Sequence, residues 1–445
     1  MKKEYLIYKL ADEMKGSVKI DMNLFRANQV KRGLRNEDGT GVLVGLTNIG
    51  NVVGRMVDGE GNKVPVEGEL YYRGYEISEL VGHIIDEKRL GFEEVAYLLL
   101  SGRLPDREEL DQFHSLIFEN MPLEPATMLH IIELEGKNIM NILSRSVLEL
   151  YTYDANPDDT SRENLMRQSI ELISKFPTII AYAYNVLRHK EQGRSLHIRH
   201  PWEQLSFAEN FLHMLKRDYT ELDARTLDLL LIVHAEHGGG NNSTFTVRLS
   251  SSSGTDTYSS IAAGIGSLKG PLHGGANIKV RDMLEFMKGH IPDWSDENRI
   301  RKTVRSLIKG EIYDRRGLVY GIGHAVYTIS DPRARLLKRM ARDLAVEKDR
   351  LKEFEFMERI ERIAVEEVAA MKGKVVCANV DFYSGFVYDL IGLPVDIYTP
   401  LFAMARIVGW CAHRNEELNY EGRRIIRPAY KCVVDSGEYL PLADR

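Results

Sequence analysis

Apolar residues recur along much of the chain with the spacing of one helix face. Between Leu351 and Val368, the apolar residues Phe354, Ile360 and Ala364 follow one another at spacings of three, four or six. This spacing places them on one side of a helix, and the charged residues between them are expected to face solvent. The sequence shows neither a repeat of about 20–50 residues nor a low-complexity tract. We therefore predict a mainly helical fold.

Glycine and proline cluster at three places that interrupt the helical pattern, and each place carries a histidine. Glycines 238–240 follow His237, Gly270-Pro271 and Gly274-Gly275 flank His273, and glycines 321 and 323 precede His324. Such clusters mark turns for backbone reasons alone, so each could be a simple connection. Loops carried by rigid helices are also where binding groups gather, and three histidines in such loops favour a shared site.

Composition narrows the class of protein. At 445 residues the chain exceeds the size at which single cores usually stop growing, about 250–300 residues, so two lobes are expected. A hydrophobic content of 44% is ordinary for a globular protein, and no apolar run reaches the length of a membrane span. The net charge of −6 argues against binding to nucleic acid or to an acidic membrane.

The start of the chain and the cysteines favour a cytoplasmic protein. The first residues include an acidic residue and no apolar core of signal-peptide length. The three cysteines, Cys377, Cys411 and Cys432, are far apart, which favours neither a disulfide framework nor a cysteine zinc site.

His237 and His273 are each expected at the end of a helix. The apolar helix that contains His234 stops at Gly238, so His237 either caps that helix or binds a ligand. The spacing of three between His234 and His237 does not match the zinc pattern of metalloproteases. His273 precedes a helical pattern, and the positive end of the helix dipole should keep its ring neutral, as a hydrogen-bond donor.

Arg333 and Asp381 lie beside predicted helix starts. Asp331 and Pro332 are typical of an N-cap and first helical position, so Arg333 lies in a first turn, where it could bind a carboxylate or form surface ion pairs. Asp381 follows an apolar run, and desolvation could make it a base near neutral pH, although helix capping is the commoner role. Arg406 and Arg427 complete the candidates: each alone could be surface charge, but two arginines matching one dianion would form a bidentate clamp.

Four motifs together resemble those of the citrate synthase family, in their order and their spacing. They are HGGGN at His237, PLHGGAN at His273, GIGHAV followed by DPR at His324 and Arg333, and NVDFYSG at Asp381. The resemblance extends over nearly the whole chain, and four such motifs are far less probable by chance than one. A Rossmann interpretation of GIGHAV fails because the third glycine is missing.

The resemblance implies a fold and a set of substrate contacts. The family fold is an all-α dimer in which a large helical domain, here 1–276 and 392–445, carries an inserted small domain, here 277–391, that closes over a cleft. Oxaloacetate is expected to be bound by four residues of one subunit, with a fifth reaching in from the partner of an obligate homodimer. These are His237, His324, Arg333 and Arg406, and Arg427 from the partner.

The resemblance also implies the chemistry. Asp381 is expected to remove a proton from the methyl group of acetyl-CoA, while His273 donates a hydrogen bond to the thioester oxygen. His324 then polarises the keto carbonyl, and the resulting thioester is hydrolysed to citrate and CoA. No metal or redox cofactor is implied, because acetyl-CoA is a substrate.

The chain departs from the family pattern at two positions. Gly238 stands where a glutamate often follows the first histidine, and Thr328 stands where some members place an arginine that contacts CoA. Contacts with CoA are predicted instead at Gly321, Ile322, Gly323, Lys372 and Lys374.

Three other functions stay open at this point. A 2-methylcitrate synthase would use propionyl-CoA, and one methylene is worth only about 1–3 kcal/mol in a pocket, so the acid–base motifs cannot exclude it. A hydrolase with a metal at His234 and His237 belongs to another class. A helical dimer that binds CoA or a partner without catalysis is the third.

Overall fold

The computed structural model describes residues 2–37, 39–60, 62–134, 136–216, 218–434 and 436–444. For Lys2 and Lys3 it describes the backbone alone. The chain divides into two units. One comprises Met1–Gly45 with Ile426–Arg445, and the other comprises Leu46–Ile425.

The smaller unit joins the two ends of the chain. Its helices are α1 (Lys2–Ser17) and α2 (Met22–Ala27), followed by a short 3-10 helix. The side chain of Asp21 caps α2 by accepting a hydrogen bond from the N–H of Asn23. Lys431 Nζ donates to Asn28 Oδ1 over 2.7 Å, which links the final segment to the residue that ends α2.

The larger unit is predominantly helical. Its helices are α3 (Ile77–Asp86), α4 (Phe92–Ser101), α5 (Arg107–Asn120), α6 (Pro125–Glu133), α7 (Ile139–Leu150), α8 (Arg162–Gln192), α9 (Phe207–Leu215), α10 (Glu221–Ala235), α11 (Asn242–Ser251), α12 (Thr257–Lys269), α13 (Ala276–His290), α14 (Glu297–Lys309), α15 (Pro332–Glu347), α16 (Leu351–Lys372), α17 (Asp381–Ile391) and α18 (Tyr398–Asn419). The prediction of an all-α fold is confirmed. The helix predicted from the pattern at 351–368 is α16, and Asp331 caps α15 as expected.

A small sheet, which the helical pattern did not predict, precedes these helices. It is antiparallel in the order β1 (Gly50–Val57), β2 (Lys63–Tyr72) and β3 (Tyr75–Glu76). Gly50 pairs with Tyr72 and Val57 with Lys63, and the register shifts between Val53 and Arg55, which marks a bulge.

Helix α18 forms the centre of the larger unit, where it packs against α8, α10, α11 and α12. Trp410 is fully buried, and Arg414 is 1% exposed. The Arg414 guanidinium donates to the hydroxyls of Ser251, Thr257 and Ser260 over 2.9–3.1 Å. This satisfied polar network fixes α11 and α12 against α18, and α18 in turn carries Arg406.

Among the described helices, none combines the length and the apolar composition needed to cross a membrane. The predicted small domain, 277–391, lies wholly within the larger unit, and its boundaries stay a prediction.

Candidate active site

The larger unit brings His237 and His324 together around one tyrosine. Their rings are perpendicular, with centroids 5.2 Å apart. The ring of Tyr327 stacks on His324 at 4.7 Å and meets His237 edge-on at 5.6 Å. His237 is 7% exposed, and its Nε2 has no hydrogen-bond partner among the described residues. A buried polar atom without a partner in a cluster of aromatic rings is a candidate ligand-binding group.

The backbone fixes the tautomer of His324. The N–H groups of Val326 and Tyr327 both donate to its Nδ1 over 3.1 Å. A nitrogen that accepts two hydrogen bonds carries no proton, so Nε2 carries the ring hydrogen. His324 therefore presents Nε2 as a hydrogen-bond donor.

The loop before His324 is joined to the loop before Asp381. Gly323 N–H donates to Cys377 O over 2.7 Å, and Asn379 N–H donates to Gly321 O over 2.9 Å. The side chain of Asn379 donates to Gly323 O over 2.8 Å and accepts from the N–H of Asp381 over 3.0 Å. Gly321, Ile322 and Gly323, three of the five residues predicted to contact CoA, thus also form a backbone bridge to the segment that ends at Asp381.

Asp381 is the first residue of α17 and directly follows the buried Val380. Burial raises its pKa from 3.8 to about 6, against the opposing charges of Arg333 and Arg406. This agrees with the basicity predicted from the apolar run before it. A carboxylate with this pKa is ionised at neutral pH yet basic enough to accept a proton.

Arg333 is buried beside its own counterion. It is 4% exposed, and its Nε and Nη2 donate to the two carboxylate oxygens of Asp331 over 3.0 and 2.8 Å. Burial alone would lower the pKa of Arg333, but Asp331 raises it above its usual value. Asp331 also accepts from the N–H of Val380 over 3.2 Å, so the pair is anchored to the start of α17.

Arg406 is fully buried without a complete set of partners. Its Nε donates to His234 O over 2.7 Å, whereas Nη1 and Nη2 have no partner among the described residues. Its guanidinium lies over the ring of Phe402, 4.8 Å from the centroid. Burial lowers its pKa to about 10, so it still carries a charge at neutral pH. Two unsatisfied N–H groups on a buried cation favour an anionic ligand.

His273 lies in the turn that precedes α13. Its Nε2 accepts from Ser243 N–H over 3.3 Å and lies 3.0 Å from Ser243 Oγ, which leaves Nδ1 to carry the hydrogen. Burial, together with the charge of Arg406, lowers its pKa to about 4. The ring is therefore neutral at physiological pH, as the helix-start argument predicts, although burial is the main cause.

Three residues predicted for the site, Arg427 and the two lysines, have exposed side chains. Arg427 belongs to the smaller unit and is exposed. Lys372 and Lys374 are exposed at the end of α16, and Lys372 Nζ donates to Gly317 O over 2.8 Å. The hydroxyl of Thr328 is buried with no partner among the described residues.

Sequence reasoning missed a buried network next to His237. Glu236 is fully buried, and one of its carboxylate oxygens accepts from Gly238 N–H and from His413 Nε2, the latter over 2.9 Å. The Nδ1 of His413 accepts from Arg248 over 2.8 Å, and Arg248 pairs with Glu416. Burial alone would raise the pKa of Glu236, but His413 and Arg406 hold it below its usual value. The network fixes Gly238, which has φ +80°, directly after the histidine.

The raised pKa of Asp381 predicts that Asp381→Asn stabilises the fold. A tenfold change in an acid constant is worth about 1.4 kcal/mol, so a rise from 3.8 to about 6 sets an upper bound of about 3 kcal/mol, which partial solvent access reduces. The folded state favours the protonated acid, so the destabilisation is present above about pH 6 and disappears as the pH falls below 3.8.

Denaturant unfolding at pH 8 and pH 5 measures this effect. The gain from Asp381→Asn should be larger at pH 8, whereas Asp343→Asn, on the exposed face of α15, should change little at either pH. A variant no more stable than the parent at pH 8 would contradict the desolvation of Asp381.

Comparison with known proteins identifies the family. A model of the citrate synthase C-terminal domain matches residues 38–429. Citrate synthase from Haloferax volcanii is 35% identical over 426 residues, which cover 94% of this chain and 100% of that protein. Citrate synthase from Synechocystis is 34% identical over 386 residues, which cover 85% of this chain and 89% of that protein.

Solved structures agree with this match. Citrate synthase from Pyrobaculum aerophilum superposes with a TM-score of 0.76 at 33% identity, over 92% of this chain and 94% of that chain. The enzyme from Thermoplasma acidophilum, solved as a ternary complex with carboxymethyl coenzyme A and oxaloacetate, gives a TM-score of 0.76 at 26% identity, over 94% of this chain and 99% of that chain. The chain therefore belongs to the citrate synthase family and is an acyl-transferring enzyme of that family.

Proposed function

We propose that this enzyme condenses acetyl-CoA with oxaloacetate and hydrolyses the resulting thioester, which releases citrate and CoA. The observation that carries the proposal is the charge pattern of the site. Asp381 has a pKa of about 6 and feels the charges of the buried Arg333 and Arg406. His273, whose ring centroid lies 6.4 Å from that of Phe402, has a pKa of about 4. Carbon-acid chemistry on an anionic substrate needs a base, a neutral donor and a cationic binding site together.

Oxaloacetate binding falls to the arginines and to His237. The free Nη1 and Nη2 of Arg406 supply a planar pair of donors that matches a carboxylate. Arg333 supplies a second charge, although Asp331 occupies part of its donor set. Burial and the neighbouring charges lower the pKa of His237 below its usual value, so its ring is neutral and its Nε2 is left for the substrate.

Enolisation uses Asp381 and His273 in concert. The Asp381 carboxylate takes a proton from the methyl group of acetyl-CoA, and the electron pair of that C–H bond moves into the thioester to give an enol or enolate. His273 donates from Nδ1 to the thioester oxygen, where the charge develops. Its low pKa keeps the ring a neutral donor through the cycle.

Condensation follows when the nucleophilic carbon attacks the keto carbonyl of oxaloacetate. His324 donates from Nε2 to that carbonyl oxygen, and its Nδ1 is fixed by two backbone N–H groups. The new C–C bond gives citryl-CoA, and water then cleaves the thioester. Closure of the small domain would exclude bulk water from the enolate until condensation has taken place.

The proposal extends to CoA contacts, assembly and location. CoA would be bound along the loop of Gly321, Ile322 and Gly323, with the exposed Lys372 and Lys374 near its phosphates. The enzyme would act as a homodimer in which the partner's Arg427 reaches the keto acid, and it would work in the cytoplasm.

A thiol-release assay over several acyl donors and keto acids tests the reaction. We expect turnover with acetyl-CoA and oxaloacetate, and a kcat/KM for propionyl-CoA lower by about 10–200-fold if the pocket discriminates one methylene. Turnover with no pair of substrates would refute the proposal, and a preference for propionyl-CoA would change the product to 2-methylcitrate.

The pH profile should show the ionisation of Asp381. The base must be deprotonated, so kcat/KM for acetyl-CoA should fall as the pH drops through about 6. Bound oxaloacetate adds negative charge and offsets Arg333 and Arg406, so saturation with the keto acid should move this limb to higher pH.

The variant Asp381→Asn tests whether the acidic limb of the pH profile belongs to Asp381. It should remove the acidic limb and cut kcat by about 10²–10⁴-fold while oxaloacetate still binds. A variant with near-normal kcat and the same limb would exclude Asp381 as the base.

Mixing two inactive variants tests whether Arg427 serves the partner's site. Subunits with Arg427→Ala and subunits with Asp381→Asn should each be nearly inactive alone. In a mixed dimer, one site would combine an intact Asp381 with the partner's intact Arg427. Random exchange of equal amounts should therefore restore about a quarter of the sites. No recovery, with exchange verified by native mass spectrometry, would show that Arg427 does not complete the partner's site.

A further inference from the structure

Strand β1 lies against two of the three histidine-bearing loops of the site, those of His237 and His324. Gly50 and Val52 are two residues apart, so they share a face of the strand, and the bulge after Val53 leaves Gly54 to be placed by its own contacts. Gly50 lies against Glu236, Val52 against Gly238, and Gly54 against the residues that follow His324. The strand therefore passes from the His237 loop to the His324 loop.

The approach at Gly54 is to backbone atoms. A β-carbon added there would lie 2.6 Å from Val326 O and 3.1 Å from the Cα of Tyr327. These two residues supply the N–H groups that hold Nδ1 of His324. Any side chain at Gly54 would thus displace the backbone that orients the His324 ring.

The second strand supports the same loop. A β-carbon added at Gly68 of β2 would collide with Ser330 O and would lie 2.8 Å from the ring of Tyr327. Gly68 N–H also donates to Ser330 Oγ over 3.1 Å. The bulge between Val53 and Arg55 bends β1 at the point where Gly54 meets the loop.

The contact at Val52 concerns the other histidine. Cγ2 of Val52 lies 3.2 Å from the position that a β-carbon on Gly238 would occupy. Val52 therefore packs directly on the residue after His237. The N–H of Gly238 also donates to the carboxylate of Glu236. Val52 and Glu236 together restrict the backbone at His237.

We propose that the β1–β2 hairpin is a positioning element for catalysis, in which Gly54 and Gly68 set His324 and Val52 sets His237. The inference rests on the proposed function, because it assigns the two histidines different roles toward the keto acid. A displaced His324 would weaken polarisation of the carbonyl and lower kcat. A displaced His237 would weaken keto-acid binding and raise KM.

Three single variants test the positioning role. Gly54→Ala should lower kcat by on the order of 100-fold, the size expected for a displacement of about 1 Å at a reacting group. Val52→Ala should raise KM for oxaloacetate severalfold with a smaller change in kcat. Gly59→Ala, in the turn of the same hairpin with open space around it, is the control and should match the parent.

Thermal midpoints and kinetics at 25 °C separate positioning from stability. If Gly54→Ala and Val52→Ala lower the midpoint but keep the kcat and KM of Gly59→Ala, the positioning role is overturned. If Gly54→Ala does not fold, Val52→Ala, which only removes two methyl groups, decides the matter through KM. An inactive parent enzyme would instead refute the proposed function, so the two failures are distinguishable.

Discussion

The burial of charged groups in the active site determines ligand binding and the pKa values of the other groups there. Arg333, Arg406, Asp331 and Glu236 are all buried, and among the described residues Nη1 and Nη2 of Arg406 have no hydrogen-bond partner. Isolated charges of this kind are unfavourable in a protein interior unless they are paired or bind a ligand. The unsatisfied donors of Arg406 are therefore best explained by an anion that completes them when the enzyme works.

The same desolvation sets the proton affinities around these arginines. It lowers the pKa values of His237 and His273, which keeps both rings neutral, and it raises the pKa of Asp381. A positive environment opposes protonation of the histidines as well, so the two effects add. For Asp381 they oppose each other, and burial prevails. One environment thus produces neutral donors and a base of moderate strength.

The sequence predicted those parts of the site that depend on neighbours along the chain. The N-cap at Asp331, the turn before α13 and the raised basicity of Asp381 after an apolar run are local features, and a few adjacent residues predict each of them. The sheet was missed because the segment at 50–72 has no helical period, and the strand alternation is broken by a bulge. The link from Glu236 to His413 joins residues 177 positions apart, and no local pattern encodes it. The tautomer of His324 likewise depends on loop geometry.

The backbone bridge between residues 321–323 and 377–379 has a consequence for how such an enzyme can diverge. It fixes the loop of His324 to the loop of Asp381 through main-chain groups, which every amino acid carries. Helices α15 and α16 lie between these two loops along the chain, so changes in the surface of α16 need not alter the spacing of the two catalytic groups. The bridge therefore keeps the spacing of the His324 and Asp381 loops independent of α16, whose surface is free to acquire new contacts.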